Sequence, residues 1–408
     1  MKIIQEVVPI LPFLNVLDRK MKKRIFFLLY SMGVGGVEKA LLGLLSKIPF
    51  GQYDVHVGLF NKKGVFLDFL PKEVTVHEID CYKDYWRFIQ DPPLRGIRQM
   101  LKQGQLKDAI AFTFIYFQYK LTSNRYGFYK YILRKEPIFQ ETCDLAVSFS
   151  GPSVMSDYYI SEKVKAKKKC VWIHFDVSQI DIDRKMTACL YEGFDKIFIV
   201  SETGKEIFDR MFPQFASKTE VFHNIVSLEQ VLAMADKGPS FEDNYDGKRI
   251  LTVGRISEEK GQQTAIEALK LLLDKGYQIK WYFVGDGKDR ATCEQMAEDY
   301  GVSENVGFLG TQTNPYAYMR DCDLYVQPSR HEGFCITLAE ALCFNRPIVA
   351  TNFTGAAEQL INRENGIVVG MSAENIAMGV MDGLEKGSLV QIESQLTDDV
   401  YKLFNLID

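Results

Sequence analysis

Arg249-Ile250-Leu251-Thr252-Val253 runs directly into Gly254-Arg255-Ile256-Ser257-Glu258-Glu259-Lys260-Gly261. The first five residues form a short apolar run with a β-branched end, the glycine breaks it, and a helical pattern follows. A strand that ends in a glycine turn and restarts as a helix is the building block of a parallel α/β sheet. The same unit recurs at Arg24–Tyr30 before Gly33-Val34-Gly35-Gly36-Val37-Glu38, and at Ile279–Val284 before Gly285-Asp286-Gly287.

Further strands are expected at Asp54–Phe60, Val74–Ile79, Asp144–Phe149, Cys170–His174, Lys196–Val200 and Thr219–Phe222 in the first half. In the second half they fall at Val306–Leu309, Asp323–Gln327, Pro347–Ala350 and Gly366–Val369. Strands alternating with helices predict an α/β chain of two doubly wound, Rossmann-like domains facing a central cleft. At 408 residues the chain exceeds one ordinary core. The expected division is an extension over 1–20, a first domain over 21–226, a breaker-rich linker over 227–247, a second domain over 248–390 and a terminal helix over 391–408, which crosses back or is short.

Composition narrows the partners. With 47% hydrophobic residues the chain is not disordered, and a net charge of -4 argues against a general nucleic-acid binder. The eight cysteines form no C-x-x-C pair, so neither a zinc site nor a disulfide framework is suggested and a cytoplasmic setting is simplest. Lys2 with Val7–Leu17 resembles a signal peptide but lacks a small-residue cleavage site, and no run is apolar enough to span a bilayer. The stretch 83–135 stands apart: eleven Lys and Arg face three Asp, with aromatics such as Trp86, Phe114 and Tyr129 interleaved. Such helices can lie on an anionic membrane surface, at the inner face of the membrane; equally, the aromatics are core and the lysines a solvated face.

Several groups carry chemistry. Glu332-Gly333-Phe334-Cys335-Ile336-Thr337-Leu338-Ala339-Glu340 sets two carboxylates around a glycine-led turn and a helix start, expected over Thr337–Asn345. Carboxylates accept from sugar hydroxyls and free helix N–H groups take phosphoryl oxygens; two solvated glutamates on a surface helix are the bland alternative. Arg255 and Lys260 are two cations beside flexible Gly254, suited to the charge growing on a departing diphosphate, or merely solvated. Gly35 and Gly36 open a helix expected over Glu38–Lys47 without the dinucleotide fingerprint, and a tight turn explains them nearly as well. His174 ends an apolar strand, where a histidine is more often structural. Asp321-Cys322-Asp323 matches the D-x-D pattern of metal-dependent transferases but reads as a helix-to-strand junction, so no metal ligands are expected.

Taken in order, these residues resemble the retaining glycosyltransferases of family 4, which have the GT-B fold. The likeness is carried by Gly254-Arg255, Lys260-Gly261, Gly285-Asp286-Gly287, Gly310, Pro328-Ser329 and the E-x7-E of Glu332 and Glu340, with Gly35-Gly36-x-Glu38, His174, Val200-Ser201 and Asn224 in the first half. The resemblance implies that the first domain binds acceptor and the second a nucleoside diphosphate sugar, a substrate rather than a cofactor, with UDP favoured. Arg255 and Lys260 would hold the diphosphate, Glu332 would face the hexose with His174 beside it, and Glu340 would bind the ribose. The N–H groups of Phe334, Cys335, Ile336 and Thr337 would contact sugar and phosphates, the base would stack near Gly285 and Gly310, and Gly35-Gly36 would border phosphate and acceptor. Retention implies front-face attack without a protein nucleophile or a metal. The implied role is hexose transfer to a lipid-linked glycan of a surface polysaccharide; a silent sugar-nucleotide-binding subunit and an epimerase are the alternatives. Cys335 stands where the family has glycine, and Ile225 follows Asn224 where many members have glycine, which would narrow sugar choice and alter the hinge edge.

Overall fold

The computed structural model describes residues 22–79, 93–122, 126–180, 182–360, 363–387 and 399–407. The extension over 1–20, Trp86 and the start of the basic stretch lie outside them. The strands are β1 (Lys23–Leu29), β2 (Tyr53–Leu59), β3 (Thr75–Glu78), β4 (Phe139–Gly151), β5 (Val164–Ile173), β6 (Lys196–Ile199) and β7 (Thr219–Val221), then β8 (Lys248–Val253), β9 (Ile279–Val284), β10 (Val306–Gly310), β11 (Leu324–Gln327), β12 (Ile348–Thr351) and β13 (Gly366–Val369).

They form two parallel sheets, ordered β3-β2-β1-β4-β5-β6-β7 and β10-β9-β8-β11-β12-β13. In both, the order runs outward in two directions from a central pair, β1/β4 in the first and β8/β11 in the second. That reversal opens a crevice beyond the strand C-termini, where parallel α/β sheets bind ligands. Strands covered by helices on both faces read as unbroken apolar runs, and Ile25 to Leu29 are all fully buried. One continuous core passes from Phe27 and Val57 through Phe334, Ile336 and Leu338 to Leu251 and Tyr325, so the two sheets share apolar packing.

Several elements differ from expectation. β4 and β5 are longer, because polar residues such as Lys165 and Lys167 alternate outward while the strands keep pairing, with Cys143 opposite Ala166. The helix at Gly36–Leu45 starts earlier than expected and that at Ile336–Ala341 stops earlier; beyond it Cys343 and Phe344 bond three residues back, tightening the chain ahead of Pro347. Within 227–247, Leu228–Ala235 is a helix, and the rest is fastened to the second sheet: Ser240 to Asp321, Asp243 to Arg249 and Tyr282.

The helix Val400–Ile407 packs on the first sheet. Leu403 is fully buried, Phe404 stacks on Tyr53 at 4.9 Å, and Lys402 Nζ donates to the Val221 carbonyl at 2.7 Å. The basic stretch divides. Phe112, Tyr129 and Tyr131 are core, while Phe114 at 70% and Leu121 at 83% are exposed.

Candidate active site

The loops that leave β1, β8 and β11, together with the end of β5, carry nearly every residue singled out by sequence, and the packing of the two sheets brings them face to face. Gly36 opens its helix against Ile336, whose Cδ1 lies 4.0 Å from where a Gly36 side chain would begin. Gly333 meets the other sheet more closely still: a Cβ there would lie 2.0 Å from the His174 carbonyl oxygen. Only glycine permits that approach.

Lys260 and Glu332 form a pair. Lys260 Nζ donates to Glu332 Oε1 at 2.7 Å, and the Ser329 hydroxyl donates to the same oxygen at 2.8 Å. Burial works against the ammonium, but Glu332 outweighs it and the Lys260 pKa is raised, so this lysine keeps its charge. Behind Ser329 a buried chain continues: Gln327 Nε2 donates to Ser329 Oγ at 2.8 Å, and Tyr325 and Thr337 hydroxyls donate to Gln327 Oε1 at 2.7 and 3.2 Å. Glu332 and Thr337, at the two sides of the turn, are thereby fixed through one amide.

Glu340 is only 3% exposed and is bound from both sheets. Lys39 Nζ donates to both of its oxygens at 2.7 Å, and Tyr316 OH donates to Oε1 at 2.7 Å. Next to Lys39, the Glu38 carboxyl is raised by burial, with its own N–H and the positive charge of Arg255 opposing. The positive charge of Arg255, from the other sheet, is thus felt at Glu38, two residues past the Gly35-Gly36 turn.

Cys335 is buried with φ 64°, a left-handed backbone that favours glycine, and its Sγ lies 3.4 Å from Thr337 Oγ1. Phe334 is buried beside the His223 ring at 6.0 Å, and its carbonyl accepts from Gln359 Nε2. At the far side, Gly285 has φ 140° and would place a Cβ 2.0 Å from the Gly254 carbonyl, while its N–H donates to Gly310 O at 2.8 Å. Gly254, Gly285 and Gly310 therefore place side-chain-free, half-buried backbone together at the ends of β8, β9 and β10.

His174 is 8% exposed, stacked parallel on Trp172 at 6.2 Å and tilted against Phe149 at 4.8 Å. Burial lowers its pKa to about 3, offset only in part by the Phe149 carbonyl, so the ring is neutral at ordinary pH. Neither ring nitrogen has a well-formed hydrogen bond within the protein. Buried polar atoms are nearly always satisfied, so this histidine is an exception within the fold. Three residues on begins a cavity of about 630 Å³, lined by Ile180, Ile182, Ile207 and Met211 with Arg184 and Arg210.

Asp321 and Asp323 bond within the fold: Ser240 Oγ and Arg320 Nε donate to Asp321, and Lys248 Nζ and the Arg249 N–H donate to Asp323. What the sequence did not reveal is how the sheets are tied. Lys39 and Tyr316 on Glu340 were missed, as were Thr354 donating to Asp176 at 2.7 Å and Glu358 accepting from the Glu202 and Thr203 N–H groups. The Glu358 contact carries a familiar signal, an acid at a helix N-terminus, but its partner is 156 residues away.

Two doubly wound sheets face each other across their switch points, with cations, carboxylates and glycine turns between them. Residues 237–395 match the family described as glycosyl transferases group 1. The family match thus falls in the second half of the chain, while the chain as a whole has the GT-B fold of solved glycosyltransferase structures. Among its relatives, N-acetylgalactosamine-N,N'-diacetylbacillosaminyl-diphospho-undecaprenol 4-alpha-N-acetylgalactosaminyltransferase of Campylobacter jejuni is 24% identical, over 85% of this chain and 86% of that one. An uncharacterized glycosyltransferase of Methanocaldococcus jannaschii is 27% identical over 42% of this chain, and the match spans less than half of that relative, 43%. Protein CapJ of Staphylococcus aureus is 28% identical over 50% of this chain and 51% of its own length. Of solved structures, Anabaena HepE in complex with UDP is similar at TM-score 0.60 and 19% identity, over 93% of this chain and 92% of that one. A mutant of S. aureus TarM, in complex with fondaparinux, alpha-GlcNAc-glycerol and UDP, is similar at TM-score 0.63 and 14% identity, over 95% of this chain and 100% of that one.

Proposed function

We propose that the chain is a retaining, metal-independent hexosyltransferase that takes its sugar from a nucleoside diphosphate donor, UDP favoured, and passes it to a growing lipid-linked glycan of a surface polysaccharide. The observation that carries the reading is His174, a buried neutral imidazole with neither nitrogen in a well-formed hydrogen bond, whose backbone lies against the Gly333 turn next to the Glu332–Lys260 pair. A neutral ring can exchange one hydrogen bond with a sugar hydroxyl without adding charge where an oxocarbenium-like centre forms.

Arg255 and Lys260 are assigned to the diphosphate. As the anomeric bond breaks, negative charge grows on the leaving oxygens, and cations already fixed in place stabilise it without reorganisation. Glu332 accepts from Lys260 and Ser329 on one oxygen, which blunts it as a nucleophile and suits it to orienting hexose hydroxyls. That supports attack by the acceptor on the face the diphosphate leaves, with a phosphoryl oxygen taking the acceptor proton. Glu340 is assigned to the ribose and the bare backbone of Gly285 and Gly310 to the base.

The acceptor reading draws on relatives. The Campylobacter enzyme is named for an acceptor on diphospho-undecaprenol, and CapM and LpsE are named for capsular polysaccharide and lipopolysaccharide core synthesis. The cavity beyond His174 pairs apolar walls with two arginines, which suits an amphipathic acceptor carrying phosphate. Among the described residues no helix is long and apolar enough to cross a membrane. The helices Pro93–Lys102 and Leu106–Thr122 instead expose Leu94, Leu101, Leu106, Ile110, Phe114, Phe117 and Leu121 next to Arg98, Lys102, Lys107 and Lys120. An apolar row edged by cations suits the surface of an anionic bilayer.

A panel of UDP-, GDP- and ADP-sugars, with and without membrane-extracted lipid-linked acceptor, tests the proposal. Nucleoside diphosphate released in step with acceptor glycosylation supports it. Isomerised sugar without acceptor would indicate an epimerase, and binding without turnover a silent subunit.

A further inference from the structure

The contact that ties Glu340 to the other sheet is made by Lys39. Lys39 sits in the first turn of the helix Gly36–Leu45, and its partner Glu340 is 301 residues away. Both groups are largely buried, the side chains 14% and 4% exposed. The Lys39 ammonium also lies 5.2 Å from the centre of the Tyr316 ring, whose hydroxyl shares Glu340 Oε1.

The donors already on that carboxylate leave little room for a ribose. Two carboxylate oxygens offer about four lone-pair positions. Lys39 spans both oxygens and Tyr316 occupies one again, so a ribose diol donating two more hydrogen bonds competes with a bidentate ammonium. If the ribose takes Glu340, Lys39 loses its partner in a place where an unpaired charge is costly. A new anion must then be within reach of its flexible stem. The donor supplies one: its diphosphate is expected between the Gly35-Gly36 turn, one helical turn before Lys39, and Arg255, whose charge is felt by the adjacent Glu38.

We propose that Lys39 is a donor-site residue of the first domain that holds Glu340 until the ribose hydroxyls displace it and then pairs with the donor diphosphate. The inference rests on the assignment of Glu340 to the ribose. Nucleotide binding would then exchange a contact between the sheets for one that runs through the ligand, so a nucleoside lacking phosphates pays for the displacement and gains nothing from it. Lys39 thereby discriminates diphosphate from nucleoside, in addition to Arg255 and Lys260.

The test compares UDP and uridine binding by calorimetry, with GDP and guanosine as a second pair, in the wild type, Lys39→Met, Glu340→Gln and the double variant. Lys39→Met is expected to weaken UDP about tenfold or more, the loss of one charge-assisted contact, while uridine binds equally well or more tightly. The preference for diphosphate over nucleoside therefore falls at least tenfold. The double variant removes the unpaired Glu340 charge that could unfold the single one, and relative to Glu340→Gln it should show the same fall. Equal tightening of both ligands would make Lys39 a simple blocker, and equal weakening or an unchanged ratio would make it structural; each overturns the proposal. If the wild type binds UDP and the ratio does not move, only this inference fails. If the wild type binds none of the four compounds, the donor reading fails first.

Discussion

Replacing Gly333 by alanine tests whether the site depends on the close approach of the two sheets. The added Cβ would lie 2.0 Å from the His174 carbonyl oxygen, 2.7 Å from its carbon and 3.1 Å from the Phe175 Cα. All three are backbone atoms, so no side chain can swing aside. Protein Cβ atoms essentially never approach within 3.0 Å of another such atom, so the loop or the domain must retreat by at least about 1 Å. The retreat moves Glu332 and Phe334 on either side of the substituted residue, and a misplacement of about 1 Å can cost roughly 10²-fold in rate. Overpacking of this kind costs about 1–3 kcal/mol where it cannot relax, but a surface between domains can relax by opening. The expected outcome is a Gly333→Ala variant that melts within a few degrees of the wild type yet loses roughly 10²-fold in kcat/KM, consistent with displaced catalytic geometry. Gly51→Ala is the control, since nothing lies within 4 Å of its added methyl. A Gly333→Ala enzyme with kcat/KM within twofold of wild type would refute the reasoning. So would a loss of rate fully explained by loss of folded protein.

Three further outcomes are expected. Arg255→Ala or Lys260→Ala should lower kcat by roughly 10²-fold or more, the effect of losing one fixed group that stabilises transition-state charge; steady-state kinetics with saturating donor checks it, and near-normal turnover would remove the diphosphate assignment. Changing Phe114, Phe117 and Leu121 to serine should weaken binding to phosphatidylglycerol vesicles at all salt concentrations, whereas changing Arg98, Lys102, Lys107 and Lys120 to glutamine should weaken it mainly at low salt; unchanged sedimentation with vesicles in both sets would leave this face solvated. Asp157 is fully enclosed, and burial raises its carboxyl to about 7 despite hydrogen bonds from Ser148 at 2.6 Å and Tyr191 at 3.0 Å. Its folded pKa lies above the unfolded value near 3.9, so the native state holds the proton longer and stability falls as pH rises between about 4 and 7, by about 4 kcal/mol for this group alone. Urea unfolding of wild type and Asp157→Asn across that range should show the difference between them vary with pH in this sense, and a constant difference would contradict it.

The fold was legible because both sheets are buried on both faces. Runs such as Ile25–Leu29 and Ile279–Val284 need no alternation to be recognised, and glycine turns punctuate them. What escaped was where polarity and pairing part company. Lys165 and Lys167 lie in β5 with side chains turned outward, so the apolar signal begins only at Cys170 although the ladder to β4 begins at Val164. In the site, local chemistry was readable and distant pairing was not. The cation at Lys260 and the carboxylates at Glu332 and Glu340 could be singled out by residue type, but Lys260 meets Glu332 across 72 residues and Lys39 meets Glu340 across 301. Cys335 could be marked as a departure from glycine, while its left-handed φ of 64° shows the cost: a side chain kept where the backbone disfavours one by roughly 1–2 kcal/mol.

Both carboxylates of the E-x7-E run are thus closed by lysines, and the two pairs differ in a way that bears on mechanism. Lys260 and Glu332 belong to the same sheet, are joined by Ser329 and Gln327, and stay together whichever way the sheets move. Lys39 and Glu340 belong to different sheets, so their pair persists only while the sheets remain in contact. A rigid pair suits the place where the sugar reacts, because geometry held before the reaction need not be reorganised during it. A pair that can be exchanged suits the proposed nucleotide end, where on that assignment a ligand enters and a diphosphate later departs. The contacts through Asp176 to Thr354 and through Glu358 to the Thr203 helix lie on the His174 side and also bridge the sheets. On the proposed assignment, release of product requires these bridges to loosen, while the Lys260–Glu332 pair, held within one sheet, stays in place.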